Sequence, residues 1–260
     1  MSDVHGCYEP YRKAMDYLKS DDKLYFLGDC CDRGNDGVKI FNELTSDPRV
    51  TFLLGNHEQM MMDAIPHCIR GLNERDYISD DSYECNIWFS NGGTKTAQAF
   101  YNMTIQEIHD IRAKIKTMPT KVEYQSPAGH NVILEHAGYS PFITPHRTHD
   151  PVWDRKHFHD EWYGNWGDRD VDPAKVYLVH GHTPVQYLQY EYGYKDQPQK
   201  TKEDHEAARN WLHYREELCP KPTIIRYCDG HKFDIDLCTI VSNRVALLDL
   251  DTFEVKYFDD

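Results

Sequence analysis

The sequence predicts an α/β fold, α+β in part: a sandwich of two mixed β-sheets flanked by helices. Three observations predict it. In the amino-terminal part, short apolar runs alternate with longer amphipathic stretches, the order expected of βαβ units. Four apolar runs stop abruptly at polar turns rich in Asp, Asn and His. The tail alternates apolar and polar residues over several short stretches, as antiparallel strands do.

Taken in order, Cys7 to Lys19 carries Tyr8, Tyr11, Met15, Tyr17 and Leu18 at helical spacing and reads as a first helix. Lys23 to Leu27 is apolar and too short for a helix, so it reads as a buried strand. A helix from about Asp36 to Leu44 and a strand at Arg49 to Leu54 follow, then a Met-rich helix from Glu58 to Arg70. Asn73 to Met118 reads as a helical insertion, with Trp88 to Gly93 as a turn and Ile105, Ile108, Ile111 and Ile115 along one helix face. Strands return at Lys121 to Gln125, Asn131 to Glu135 and Lys175 to Val179, with a loop at Pro141 and Pro145 between the last two. Gln186 to Lys221 reads as a polar surface excursion with a helix near Glu203 to Tyr214. The tail strands are expected at Thr223 to Tyr227, Lys232 to Asp236, Arg244 to Leu250 and Glu254 to Phe258. No repeat, low-complexity segment or linker divides the 260 residues, which read as one domain.

Composition narrows the function classes. A formal charge of -14 argues against a surface built for nucleic-acid phosphates. No stretch reaches the roughly 20 apolar residues of a membrane span, and the start lacks a basic-then-apolar leader, so a cytoplasmic protein without a membrane partner is expected. The eight cysteines form no CxxC pair, which favours reduced thiols over structural zinc.

The chemistry gathers at the ends of the four apolar runs. Gly28-Asp29-Cys30-Cys31-Asp32-Arg33-Gly34 follows the first, Gly55-Asn56-His57-Glu58 the second, His136-Ala137-Gly138 the third and Gly181-His182-Thr183-Pro184 the fourth. Asp3 and His5, two apart near the start, point the same way in extended chain and can grip one cation. Singly, Asp29 and Asp32 could cap a helix and each histidine could be structural. Together, these O and N donors suit Mn, Fe or Zn. Cys30 and Cys31 are expected to be small buried side chains and not ligands.

These motifs, in this order, resemble the phosphoprotein phosphatase family of binuclear metallophosphoesterases, most closely its compact bacterial and phage serine/threonine phosphatases. Trp153-Asp154-Arg155 adds to the match. The resemblance implies a calcineurin-like β-sandwich and two divalent ions, Mn2+ first, Fe or Zn as alternatives. It implies that Asp3 and His5 hold one metal, that Asn56, His136 and His182 hold the second, and that Asp29 bridges them. It makes His57 the general acid, Asp32 the residue that orients it, and Arg33, Arg155 and Asn56 the contacts to phosphate. Glu58 is expected to support the loop. The implied activity is phosphomonoester hydrolysis on a phosphorylated protein or peptide, by water that the two ions activate.

One departure stands out. The family carries an apolar strand and a glycine before the residue matching Asp3, whereas here only Met1-Ser2 precede it, and truncation of the amino terminus is the expectation. Two alternatives remain: a hydrolase of small phosphorylated molecules such as diadenosine tetraphosphate, and an inactive metal-binding relic. Asp32 and Glu58 weigh against the first, because such hydrolases tend to lack the second acid and to carry Gly-Asn-His-Asp. Against the second stands the joint presence of every expected ligand.

Overall fold

The computed structural model of the chain describes residues 1–75, 77–79, 81–138, 150–155, 158, 172–187 and 221–260. Helix α1 (Tyr8–Tyr17) buries Tyr11, Ala14 and Met15, one stripe at helical spacing. Strand β1 (Leu24–Phe26) leads through the acid loop to α2 (Gly37–Ser46), and β2 (Val50–Phe52) pairs parallel with β1. Helix α3 (Asn56–Arg75) runs through Pro66. A proline cannot bond the carbonyl four residues back, and here that carbonyl, of Met62, accepts instead from Arg112 Nε at 3.0 Å.

The insertion is helical: α4 (Tyr83–Ser90), α5 (Thr94–Phe100) and α6 (Ile105–Ile115). Thr104 and Glu107 cap α6 reciprocally, and Ile108, Ile111 and Ile115 are buried as the spacing predicts. The expected turn at Trp88 to Gly93 needs correction. Trp88 to Ser90 close α4, and the chain turns only from Asn91, because buried Trp88 is one of the core's largest side chains and holds that last helical turn in place.

The main sheet has the order β3-β4-β5-β7-β6. Its strands are β3 (Lys121–Gln125), β4 (Asn131–Glu135), β5 (Val176–His180), β6 (Ile225–Tyr227) and β7 (Lys232–Asp234). β4, β5 and β7 run parallel, with antiparallel β3 and β6 at the edges. The tail is therefore antiparallel only within its hairpins: β6 with β7, and β8 (Arg244–Leu248) with β9 (Val255–Asp259). The second layer comprises two separate pairs, parallel β1-β2 and antiparallel β8-β9. Leu27 and Leu53, just past β1 and β2, pack against Val132 and Leu134 of β4, Val179 of β5 and Phe233 of β7, forming the core between the layers. The helices share a second core with Phe26, Phe41, Phe52 and Trp88.

The first residues lie along β1 and the loop after it: Leu27 donates to Met1 O, Asp3 to Gly28 O, His5 to Asp29 O and Gly6 to Cys30 O, at 2.8 to 3.1 Å. The expected Pro141 and Pro145 loop and the helix near Glu203 to Tyr214 lie outside the described residues. No helix among the described residues is long and apolar enough to cross a membrane.

Candidate metal centre

Parallel strands deliver their following loops to one edge, and that edge is where polar side chains can converge without disturbing the core. Here the loops after β1, β2, β4 and β5 meet. Close approach needs glycine at the crossing: Gly28 has φ +95°, and a Cβ there would come within 2.6 Å of the Gly55 backbone and 2.8 Å of the His136 ring. Asp3, His5, Asp29, Asp32, Arg33 and His182 all adopt the left-handed conformation. For residues with a side chain this costs energy and clusters at functional sites.

Asp29 is the centre of the arrangement. One of its carboxylate oxygens accepts from the His57 backbone N–H at 3.0 Å. The other lies 3.4 Å from His136 Nε2, 3.8 Å from His5 Nε2 and 3.9 Å from His57 Nε2. Burial opposes ionisation, yet His136 and His57 hold this carboxyl well below the usual range. Burial likewise opposes charging of His136, but Asp29 raises it to about 10. His136 Nδ1 donates to Leu27 O at 2.6 Å, and its Nε2 faces Asn56 Oδ1 at 2.9 Å.

Asn56 Oδ1 also accepts from His182 Nδ1 at 3.0 Å, so Asn56, His136 and His182 share one point. His182 Nε2 is buried with no hydrogen-bond partner. Burial, then the charges of His136 and Arg155, keep His182 well below its usual range, and burial with Arg33 does the same for His5. A metal ion needs neutral imidazoles, and the unpartnered His182 Nε2 offers it a lone pair.

The carboxylate of Asp3 is tied to the loop after β5. It accepts from the His182 backbone N–H at 3.1 and 3.2 Å and from the Ser2 hydroxyl. Burial, then Asp236, push its pKa well above the usual range. Around His5 the group that gathers is His5, Asp29 and His57, and beside it Asp29, His136 and His182, with ligand atoms in each group within 4.8 Å of one another. Two donor triads sharing one carboxylate, one of them with an orphan imidazole nitrogen, fit a pair of divalent ions.

The acid loop is braced from behind. His57 Nδ1 donates to Asp32 Oδ2 at 2.7 Å. Trp88 Nε1 donates to the same oxygen at 2.8 Å, and the Thr96 hydroxyl to Asp32 Oδ1 at 2.6 Å. Trp88 and Thr96 are supports that sequence reasoning missed. The available signal was the Trp88 indole N–H, which needs an acceptor wherever it is buried. Glu58 is fully buried, accepting from the Asp29 and Cys30 backbone N–H groups at 2.7 and 3.0 Å and from Cys31 Sγ at 3.3 Å. Cys30, Cys31 and Glu58 form a third close group. Burial raises Cys30 to about 12, which keeps its thiol protonated.

Arg33 reaches two imidazoles, His5 Nε2 at 2.8 Å and His57 Nε2 at 3.0 Å, over the face of the site. Arg155 stands apart, exposed, with Nε donating to the Thr183 hydroxyl at 2.9 Å. Trp153 is 36% exposed at the rim, its ring edge-on to His182 with centroids 5.8 Å apart.

Comparison with known proteins adds three findings. The family signature described as calcineurin-like phosphoesterase matches residues 1–232. A symmetrical bis(5'-nucleosyl)-tetraphosphatase of Buchnera aphidicola is 34% identical over 97 residues, 34% of this chain and 35% of that protein. Serine/threonine-protein phosphatase 1 of Salmonella typhimurium is 30% identical over 96 residues, 36% of this chain and 37% of that protein. The chain thus spans about a third of the length of these curated relatives. A crystal structure named as that of a candidate diadenosine tetraphosphatase is similar with a TM-score of 0.52 at 14% identity, over 98% of this chain and 90% of that one.

Proposed function

Because the chain belongs to the calcineurin-like phosphoesterase family, we propose that it is a metal-dependent phosphomonoester hydrolase acting on phosphoserine and phosphothreonine in proteins or peptides. The observation that carries this reading is the buried Asp32–His57 pair, 2.7 Å apart. An alkoxide leaves badly unless it is protonated, whereas a nucleotide polyphosphate leaves without help. A carboxylate-backed imidazole within the centre answers the first need.

The residues divide the work as follows. Asp32 fixes the tautomer and plane of His57; Nε2 accepts from Arg33 at 3.0 Å, and once Arg33 turns to the phosphate Nε2 is free to take up the proton it gives to the departing oxygen. Arg33, whose fork already spans His5 and His57, turns its donors to the phosphoryl oxygens, and Arg155 closes on them from the rim. Asp29, Asn56, His5, His136 and His182 would hold two divalent ions, Mn2+ first and Fe or Zn as alternatives. Asp3 steadies the His182 backbone. Such ions lower the pKa of water and neutralise phosphoryl charge.

Hydrolysis of a bis(5'-nucleosyl) tetraphosphate is the second reading, favoured by the names of the Buchnera relative and the similar solved structure. The test uses metal-stripped protein titrated with Mn2+ and offered p-nitrophenyl phosphate, its diester analogue, a phosphoserine peptide and diadenosine tetraphosphate. Mn2+-dependent turnover of the monoester and the peptide, absent in Asp29→Asn, supports the first reading. Faster turnover of the tetraphosphate replaces it with the second. Metal binding without turnover of any substrate leaves an inactive relic.

A further inference from the structure

Helices α3 and α4 carry a chemically active pair of their own, outside the metal centre. Cys68 of α3 and Cys85 of α4 are both buried, and their thiols are hydrogen-bonded to each other. Two further contacts fix this register. Cys85 Sγ lies 3.9 Å from the carbonyl oxygen of Ala64, one turn before Cys68 and on the side of α3 towards which the Cys68 side chain leans. One position back along each helix, His67 Nε2 faces Glu84 at 3.2 Å. The two sulfurs therefore meet across a helix–helix contact that its neighbours already hold.

The two thiols are not equivalent. Cys85 stands in the first turn of α4, just after the Ser82 cap, where the helix N–H groups favour a negative charge. The hydrogen bond with Cys68 brings it down to about 7, and the Ser82 hydroxyl adds to this against burial. That same bond, then burial, push Cys68 up. One member reaches the thiolate near neutral pH while the other stays a thiol, as an attacking and a resolving cysteine do. Cys30 and Cys31 lack this asymmetry, because burial raises both. Tyr83, the first residue of α4, is 76% exposed, and opening of that single helical turn admits a molecule as small as a peroxide.

We infer that Cys68 and Cys85 are a redox couple that hydrogen peroxide closes to a disulfide, clasping α4 to the helix that carries His57. The Cys85 thiolate attacks one peroxide oxygen, the O–O bond breaks, and hydroxide leaves Cys85 as a sulfenic acid. The Cys68 sulfur then attacks the Cys85 sulfur and gives up its proton, and the S–O bond breaks to release water. In sum two thiols are oxidised, one peroxide is reduced and two waters form. The clasp bears on the site through Trp88, three residues past Cys85. Its indole donates to the Asp32 oxygen that also takes His57 Nδ1. A bridge one turn away ties that brace to the helix of His57, whatever the substrate proves to be.

The test treats the whole metal-stripped chain with a stoichiometric series of hydrogen peroxide, alkylates the remaining thiols and maps peptides without reduction. A Cys68–Cys85 cross-linked peptide at the lowest peroxide, before any other cysteine is modified, is the expected result. Dithiothreitol should reverse it, and the oxidised chain should melt about 5 °C higher than the reduced one. In Cys68→Ser, dimedone should trap Cys85 as a sulfenic acid, and in Cys85→Ser the Tm should no longer respond to peroxide. Because either serine places a hydroxyl in a buried contact, the map and Tm of the unaltered chain decide by themselves. Modification of other cysteines first, a Cys30–Cys31 bridge among them, overturns the inference. So does a Cys85 oxidised beyond rescue by dithiothreitol with Cys68 still free, or a Cys68–Cys85 bridge that leaves Tm unchanged or lower.

Discussion

The two sides of the Asp29 carboxylate are built to different standards of completion. On the side of the acid loop and the start of α3, both oxygens of Asp32 and both of Glu58 are hydrogen-bonded, and the two nitrogens of His57 meet Asp32 and Arg33. On the side of β4 and β5, His182 keeps a nitrogen with no partner among the described residues, and Arg155 lies exposed, its Nε bonded to Thr183. The difference separates two tasks. Handling a proton demands a fixed tautomer, so every neighbouring donor and acceptor is committed beforehand. Receiving an ion or a phosphate demands free lone pairs and donors, which only an incomplete network leaves available.

The comparison breaks most completely at the residue both sides share. Asp29→Asn should reduce Mn2+-dependent turnover to that of the metal-free protein and remove at least one bound ion, seen by calorimetry; two ions still bound would dissolve the shared-carboxylate picture. On the committed side, His57→Asn should slow alkyl phosphates by roughly 10²–10⁴-fold and aryl phosphates far less. Equal losses on both substrates would remove His57 from the acid role. On the open side, His182→Ala should weaken metal binding by roughly 10–100-fold while lowering the urea midpoint only modestly, because the ring gives up one hydrogen bond, to Asn56 Oδ1, and its Nε2 has no partner. A large drop in the midpoint would show that side to be structural as well. The smallest effect belongs to Arg155→Ala, which should raise KM about tenfold with kcat little altered, the loss of one charge-assisted bond to phosphate.

Much of the fold was legible because it rests on local pattern. Lys121 to Gln125 and Asn131 to Glu135 emerge as β3 and β4 with those bounds, since alternation and flanking turns mark a strand without help from elsewhere. The second layer was less legible. Its separation into β1-β2 and β8-β9 depends on what lies beside each edge, and an isolated strand carries no sign of its neighbours. Trp88 shows the same limit: glycines after it suggested a turn, while burial of its ring decided for helix.

The sequence by itself determined which residues stand at the strand ends and the chemistry they bring, because strand periodicity and glycine placement are properties of a few neighbouring residues. Only the tertiary structure decided how those residues share their bonds. Asp3 turns to the backbone of His182, 179 positions away, and Asp32 is held by Trp88 and Thr96 from an inserted helical region. A buried carboxylate takes whichever donors the packing of distant elements brings within about 3 Å, and no local pattern along the chain carries that information.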